Sequence, residues 1–252
     1  MREAGILHGS ATEARDILTA RSVTARLDPS APDPRILLSA ATIIRQGGLV
    51  AYPTETYYGL AADPFDAAAV ARLAGLKGRI SSRALILLIA RADMAFDLAD
   101  LGATARAWYD KLARRFWPGP LTLVLPLKRR LRLPAAAGGS TVAVRVSSHP
   151  VAQQLVGCVG APITSTSANM TGQPPAASAV ELDARLTARL DLVLDAGRSP
   201  GGRPSSILDL SGDRPTLSRV GAIDADMIAG VLGFRPLVRP SPGSEPETQV
   251  NQ

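Results

Sequence analysis

An α/β fold, a central sheet with helices packed on it, is what this sequence predicts, and three observations carry the prediction. Short apolar segments of strand length alternate with amphipathic helical segments along most of the chain. Hydrophobic residues make up 46% of the chain and aromatic residues 4%, so Leu, Val, Ile and Ala must fill a sizeable core. Polar loops interrupt the apolar segments at the ends of predicted strands, which is where open α/β sheets place their ligands.

The elements follow in order. From Arg35 to Gln46, the spacing of Ile36, Leu37, Ala40, Ile43 and Ile44 marks one helical face, ended by Gly47-Gly48. Leu49–Tyr52 reads as a short strand halted by Pro53. Asp66 caps a helix that carries Val70, Leu73 and Leu76. Ala84–Ala90 reads as a buried strand and Ala103–Phe116 as an amphipathic helix. Further strands are expected at Leu121–Leu125, Thr141–Val146, Pro162–Ser165, Leu192–Leu194, Ile207–Leu210 and Thr216–Arg219. Further helices are expected at Pro150–Val156, Ala179–Arg189 and Asp224–Leu232. Before Arg35, the steps Asp28-Pro29, Ala31-Pro32 and Asp33-Pro34 disfavour helix, so residues 1–34 read as a loosely held N-terminal extension. The domain proper is expected over 35–239. Residues 240–252, rich in Pro, Ser, Gly and Glu, read as a disordered tail.

Composition narrows the chemistry. The formal net charge of +6 suggests anionic partners such as nucleotides, nucleic acid or phosphate-bearing substrates. Cys158 is the only cysteine, which excludes an internal disulfide and a cysteine zinc cluster. His8 and His149 are the only histidines, so a His-based metal site or a Ser-His-Asp triad has little to work with; His149, before Pro150, reads as a turn or helix start. No apolar run reaches the roughly 18 to 20 residues that span a bilayer, and Met1–Ser10 lacks a signal core, so a cytoplasmic protein with no membrane partner is expected.

The polar loops supply the candidate site. Tyr52 to Leu60 clusters hydroxyls, the Glu55 carboxylate and aromatic rings directly after a strand. Lys77-Gly78-Arg79-Ile80-Ser81-Ser82-Arg83 brings three cations close together, and Arg forks match phosphate or carboxylate oxygens. Ser165-Thr166-Ser167-Ala168-Asn169 can form an anion-binding turn from hydroxyls and backbone N–H groups, with Asn169 closing it. It is neither a Walker A loop nor a dinucleotide-binding glycine turn. The loop from Gly197 to Ile207 brings Ser205 to the start of a strand, and Arg219 ends the strand that follows.

Set in order, these elements are joined by Phe116-Trp117-Pro118-Gly119-Pro120-Leu121-Thr122 and by Val142-Ala143-Val144-Arg145. The whole series, with Pro53-Thr54-Glu55-Thr56 at its start and Arg203-Pro204-Ser205-Ser206-Ile207 near its end, resembles the YrdC-like family of threonylcarbamoyl-AMP synthases. The match spans roughly residues 35–223 and resembles the family's short, single-domain form.

The resemblance implies a YrdC-like twisted open mixed sheet with flanking helices around a deep basic cavity. It implies that L-threonine, bicarbonate and ATP give threonylcarbamoyl-AMP and pyrophosphate, for the N6-threonylcarbamoyladenosine modification of tRNA. Mg2+ would enter with ATP, with no protein ligand for the metal assigned. Thr54, Arg145, Ser165 and Ser205 match positions on the threonine side, with Arg145 on the carboxylate. Lys77, Arg79, Arg83, Thr141, Ser167 and Arg219 match the ATP side, Lys77 and Arg79 being the catalytic pair. Tyr58 and Asn169 shape the site. Implied partners are tRNA or double-stranded RNA and a downstream threonylcarbamoyl transferase.

The sequence also departs from the family. Ile80 and Ala84 stand where prolines are usual, which leaves the Lys77–Ala84 loop less pre-organised. Arg83 replaces a common Asn, Leu88 a frequent His, and Pro175 a small hydroxyl residue. Two rival readings are a non-catalytic RNA- or nucleotide-binding module, and a carbamoyl-transfer relative. The first predicts steep salt dependence. The second needs cysteine-rich zinc modules that Cys158 alone cannot supply.

Overall fold

The computed structural model describes residues 23–78 and 84–239. Among these residues, twelve strands and seven α-helices follow one another. The first half holds β1 (Val23–Arg26), α1 (Pro34–Arg45), β2 (Val50–Tyr52), β3 (Gly59–Ala61), α2 (Ala67–Leu76), β4 (Ile86–Leu88), α3 (Ala95–Leu98), α4 (Ala103–Phe116) and β5 (Leu121–Pro126). The second holds β6 (Thr141–Arg145), α5 (Pro150–Val159), β7 (Ile163–Thr164), β8 (Thr166–Ser167), α6 (Ala184–Thr187), β9 (Leu192–Asp195), β10 (Ser206–Asp209), β11 (Thr216–Arg219), α7 (Ala225–Leu232) and β12 (Leu237–Val238).

The α/β class is as expected, but the strands form two mixed sheets rather than one. The smaller runs β1-β9-β2-β3-β8 and the larger β12-β11-β10-β5-β6-β4-β7. In the smaller sheet the period of two is plain. Val50, Tyr52, Leu192 and Leu194 face α1 and α5, while Ala51 and Val193 face the side covered by α2 and α6. One face of the larger sheet packs Leu123, Leu125, Val144 and Leu208 against Leu112, Phe116 and Ile228 from α4 and α7.

Helix starts follow their caps. Asp33 accepts from the Arg35 N–H at 2.8 Å, ahead of Pro34 in the first turn of α1. Asp66 caps α2, and Asp224 caps α7. His149 starts α5 as expected, its Nδ1 accepting the Val151 N–H at 3.2 Å.

Other expectations need correction. The boundary at Arg35 moves upstream, because β1 pairs in parallel with β9 and Leu27 is buried. Four apolar-poor residues do not announce a strand until β9 offers them a ladder. The remainder of the expected extension, residues 1–22, and the expected tail, 240–252, lie outside the described residues. The helix expected over Ala179–Arg189 is a 3-10 turn, Ala179–Glu181, followed by the short α6, because Asp183 restarts the backbone as a new cap. No helix of the described residues is long and apolar enough to cross a membrane.

The sheets meet at a seam. β7 belongs to the larger sheet and β8 to the smaller, with only Ser165 between them. Thr164 stitches the seam: its hydroxyl donates to the Leu60 carbonyl at 2.9 Å and accepts the Ala62 N–H at 2.8 Å. The buried Tyr52 hydroxyl donates to the Thr164 carbonyl at 3.1 Å.

Candidate active site

The seam opens into a cavity of about 450 Å³. Its walls come from the β2–β3 loop, β4, the end of β6, the β7–β8 turn and the β10–β11 pair, since Thr54, Ile86, Arg145, Ser165, Ser205 and Arg219 all line it. The sheet register explains the convergence. Ile207 is paired with both Thr122 and Arg219, and Leu88 with Arg145, so neighbouring strands bring residues distant in sequence to one level.

The β2–β3 loop is held from within and from the side. Thr54 Oγ1 donates to the Tyr57 carbonyl at 2.7 Å and lies 3.1 Å from the Thr56 hydroxyl. The Gly201 N–H donates to the Thr56 carbonyl at 2.9 Å, and the Tyr57 hydroxyl to the Gly202 carbonyl at 2.7 Å. Tyr58 donates to the Gly197 carbonyl at 2.7 Å, and burial pushes its phenol up to about 12, so it stays protonated as a strut. Gly201 and Gly202 both take left-handed backbone, φ 69° and 83°, which lets that loop lie against Tyr57.

Among the described residues, Arg145 and Arg219 face the cavity. Arg219 Nε donates to the Ser205 carbonyl at 2.8 Å and Nη2 to its hydroxyl at 2.9 Å, while Ser205 Oγ lies 3.0 Å from the Thr122 hydroxyl. Burial, and secondarily the positive charge of Arg145, pull the Arg219 guanidinium below its ordinary value. An anion between them would favour the charged form and so offset both effects. Arg145 is buried and reaches the Ser165 hydroxyl at 3.4 Å through Nη2.

Lys77 and Asn169 stand one layer behind the cavity wall. Lys77 caps the end of α2 and is only 2% exposed. Its ammonium donates to the Thr166 hydroxyl at 3.1 Å, to the Ser167 carbonyl, and to the Ser167 hydroxyl at 3.4 Å. Asn169 braces the same turn by donating to the Met170 carbonyl at 3.1 Å and to the Gln173 carbonyl. Gly172, φ 84°, takes the left-handed conformation in this segment.

Thus Thr54, Tyr58, Arg145, Ser165, Ser167, Ser205 and Arg219 gather around one cavity. Thr141, at the far end of β6 from Arg145, pairs with Pro126 and is not part of the lining. Arg79 and Arg83 lie outside the described residues. Leu88 is fully buried among side chains of α1 and α5 and does not reach the cavity, while Ala84 and Pro175 line it. Among the described residues, no three His, Cys, Asp or Glu side chains come together as a cation site.

The sequence reading assigned no role to Glu55, Ser147 or Thr122. Glu55 forms an ion pair with Arg145 at 2.8 Å, and Ser147 donates to its other oxygen. Its only signal in the sequence was a carboxylate set between two threonines after a buried strand.

The model of the Sua5/YciO/YrdC family, described as "Telomere recombination", matches residues 42–221, which includes every wall of this cavity. The chain belongs to the Sua5/YciO/YrdC family. It is 38% identical over 194 residues to the threonylcarbamoyl-AMP synthase of Pyrococcus abyssi, covering 77% of this chain and 56% of that protein. It is 41% identical over 182 residues to the threonylcarbamoyl-AMP synthase of Halorhodospira halophila, covering 72% and 93%. Against the crystal structure of Pyrococcus abyssi Sua5 complexed with L-threonine, the TM-score is 0.82 at 34% identity, covering 90% of this chain and 66% of that one. The chain therefore spans little more than half of some Sua5/YciO/YrdC relatives and nearly all of others.

Proposed function

We propose that the protein is an L-threonylcarbamoyladenylate synthase, acting in the cytoplasm and passing its product to a transferase that modifies tRNA. The observation that carries this reading is the convergence of Arg145 and Arg219 with the hydroxyls of Thr54, Ser165, Ser167 and Ser205 in one cavity of a Sua5/YciO/YrdC chain. The names of the relatives and the threonine-bound Pyrococcus abyssi structure support the choice of substrates.

The chemistry asks for charge neutralisation and positioning. Threonine's amine captures CO2 derived from bicarbonate and becomes a carbamate. A carbamate oxygen then bonds to the α-phosphorus of ATP while the α–β phosphoanhydride bond breaks and pyrophosphate leaves in line. No protein nucleophile is consumed, which suits a cavity whose lining, among the described residues, includes neither cysteine nor histidine. Arg145 takes the threonine carboxylate, with Thr54, Ser165 and Ser205 on the same side. Arg219, Lys77 and Arg79 neutralise the phosphates and the Ser167 hydroxyl donates to them, with Thr141 and Arg83 also assigned to the ATP side. Fixed cations in a site shielded from water act on developing charge without reorganising. Mg2+ belongs to the nucleotide substrate, held by phosphate and water.

The test is direct. The protein is incubated with ATP, Mg2+, bicarbonate and L-threonine, and pyrophosphate and adenylate products are followed. Release that requires both threonine and bicarbonate is expected. Release indifferent to either one would overturn the assignment. Binding of tRNA without any turnover would favour the RNA-binding module instead.

A further inference from the structure

The most buried ion pair among the described residues joins Glu55, in the β2–β3 loop, to Arg145 at the end of β6. Arg145 Nη1 donates to Glu55 Oε1 at 2.8 Å, and the two side chains keep 5% and 11% of their exposure. Glu55 Oε2 accepts from the Ser147 hydroxyl, whose oxygen in turn accepts the His149 N–H at 3.2 Å. Both carboxylate oxygens are therefore engaged.

Glu55 does not line the cavity, although Thr54 and Thr56 on either side of it do. It grips Arg145 from outside the cavity wall. Arg145 itself lines the cavity, yet its buried Nε has no hydrogen-bond partner, and Nη2 makes only the 3.4 Å contact with Ser165. Nε and Nη2 share one edge of the guanidinium plane, the side-on fork that fits the two oxygens of a carboxylate. A buried donor without an acceptor is costly, so its survival marks the place where an acceptor arrives.

We propose that Glu55 is a positioning residue: by holding Nη1 it turns the Nε–Nη2 edge of Arg145 to the substrate's α-carboxylate. Glu55 also offsets the guanidinium charge while the cavity is empty of substrate, since a lone buried cation is strongly destabilising. The inference rests on the threonine reading above and adds to it the group that orients the carboxylate's receptor.

The experiment uses the full chain. Threonine affinity is measured by calorimetry, and the KM values for threonine and ATP are measured from pyrophosphate release. Glu55→Ala is expected to raise the threonine Kd and KM by about tenfold or more, because a charge-assisted hydrogen bond that aligns the fork is lost. The ATP KM is expected to stay within about twofold, since Arg219 keeps its own partners. Glu55→Gln retains an acceptor for Nη1 and is expected to restore most of the threonine affinity. Ser147→Ala frees Oε2 and is expected to give a smaller rise in the same direction, which decides the matter if Glu55→Ala does not fold. An unchanged threonine KM in the alanine variants, an equal rise in both KM values, or a Gln variant as weak as Ala would overturn the proposal. Wild-type release that ignores threonine would instead overturn the synthase reading, so the two failures are distinguishable.

Discussion

Arg219 grips Ser205 twice, donating from Nε to its carbonyl at 2.8 Å and from Nη2 to its hydroxyl at 2.9 Å. In the proposed function, the grip joins a residue assigned to ATP to one assigned to threonine. Lysine keeps the charge but cannot make both bonds from a planar fork. Arg219→Lys is expected to raise the ATP KM by about tenfold in a pyrophosphate-release assay, with a smaller rise for threonine. Equal effects on the two substrates would contradict the division of the cavity.

Lys77 tests whether the layer behind the cavity takes part in the reaction. Its ammonium is buried against Thr166 and Ser167, on the turn that lines the site. Lys77→Ala is expected to cut single-turnover pyrophosphate release by about 100-fold or more, the scale of losing a fixed charge in an active site. Arginine should not rescue, because the packed end of α2 suits a slim ammonium stem. A variant that melts earlier yet turns over normally would make Lys77 a strut only.

Thr164 offers a test of the seam between the sheets. Thr164→Val keeps the shape but removes the hydroxyl that serves the Leu60 carbonyl and the Ala62 N–H. Leaving these buried groups unpaired is expected to cost about 2 kcal/mol in urea unfolding. Activity should fall with it, since Ser165 is the next residue and its N–H donates to the Ile86 carbonyl at 2.7 Å.

His149 gives a pH signature. Burial lowers its imidazole from the ordinary 6.5, with the Glu55 charge opposing the shift more weakly. The unfolded chain therefore takes up the proton first. The resulting stabilisation is complete above pH 6.5 and is lost as pH falls through the lowered folded value. His149→Asn keeps a side chain suited to cap α5 but removes the titration. Its thermal stability is expected to fall less than that of the wild type between neutral and acidic pH; parallel curves would refute the assignment.

Helix caps and apolar faces were legible because they are local. Asp66 sits beside the backbone N–H groups it satisfies, and the 3.6-residue period of α1 needs no partner to be read; the Asp33 cap was hidden by the proline that follows it. Short strands were not. β3 and β8 are too short for any period, and only their antiparallel pairing with each other, and that of β3 with β2, defines them. The same contrast holds in the site. Ser165 to Asn169 read as an anion-binding turn from its hydroxyls alone, yet nothing local placed Lys77 behind Ser167, 90 positions away.

Residue chemistry alone determined the α/β class and singled out the hydroxyl- and cation-bearing loops, because both are written in nearest neighbours and short periods. Tertiary structure decided that there are two sheets, that Ser165 falls on their seam, and that Glu55 occupies one side of Arg145. Those outcomes depend on ladders and ion pairs between segments far apart in the chain. Their worth is set by burial and alignment, which exist only once the chain has folded.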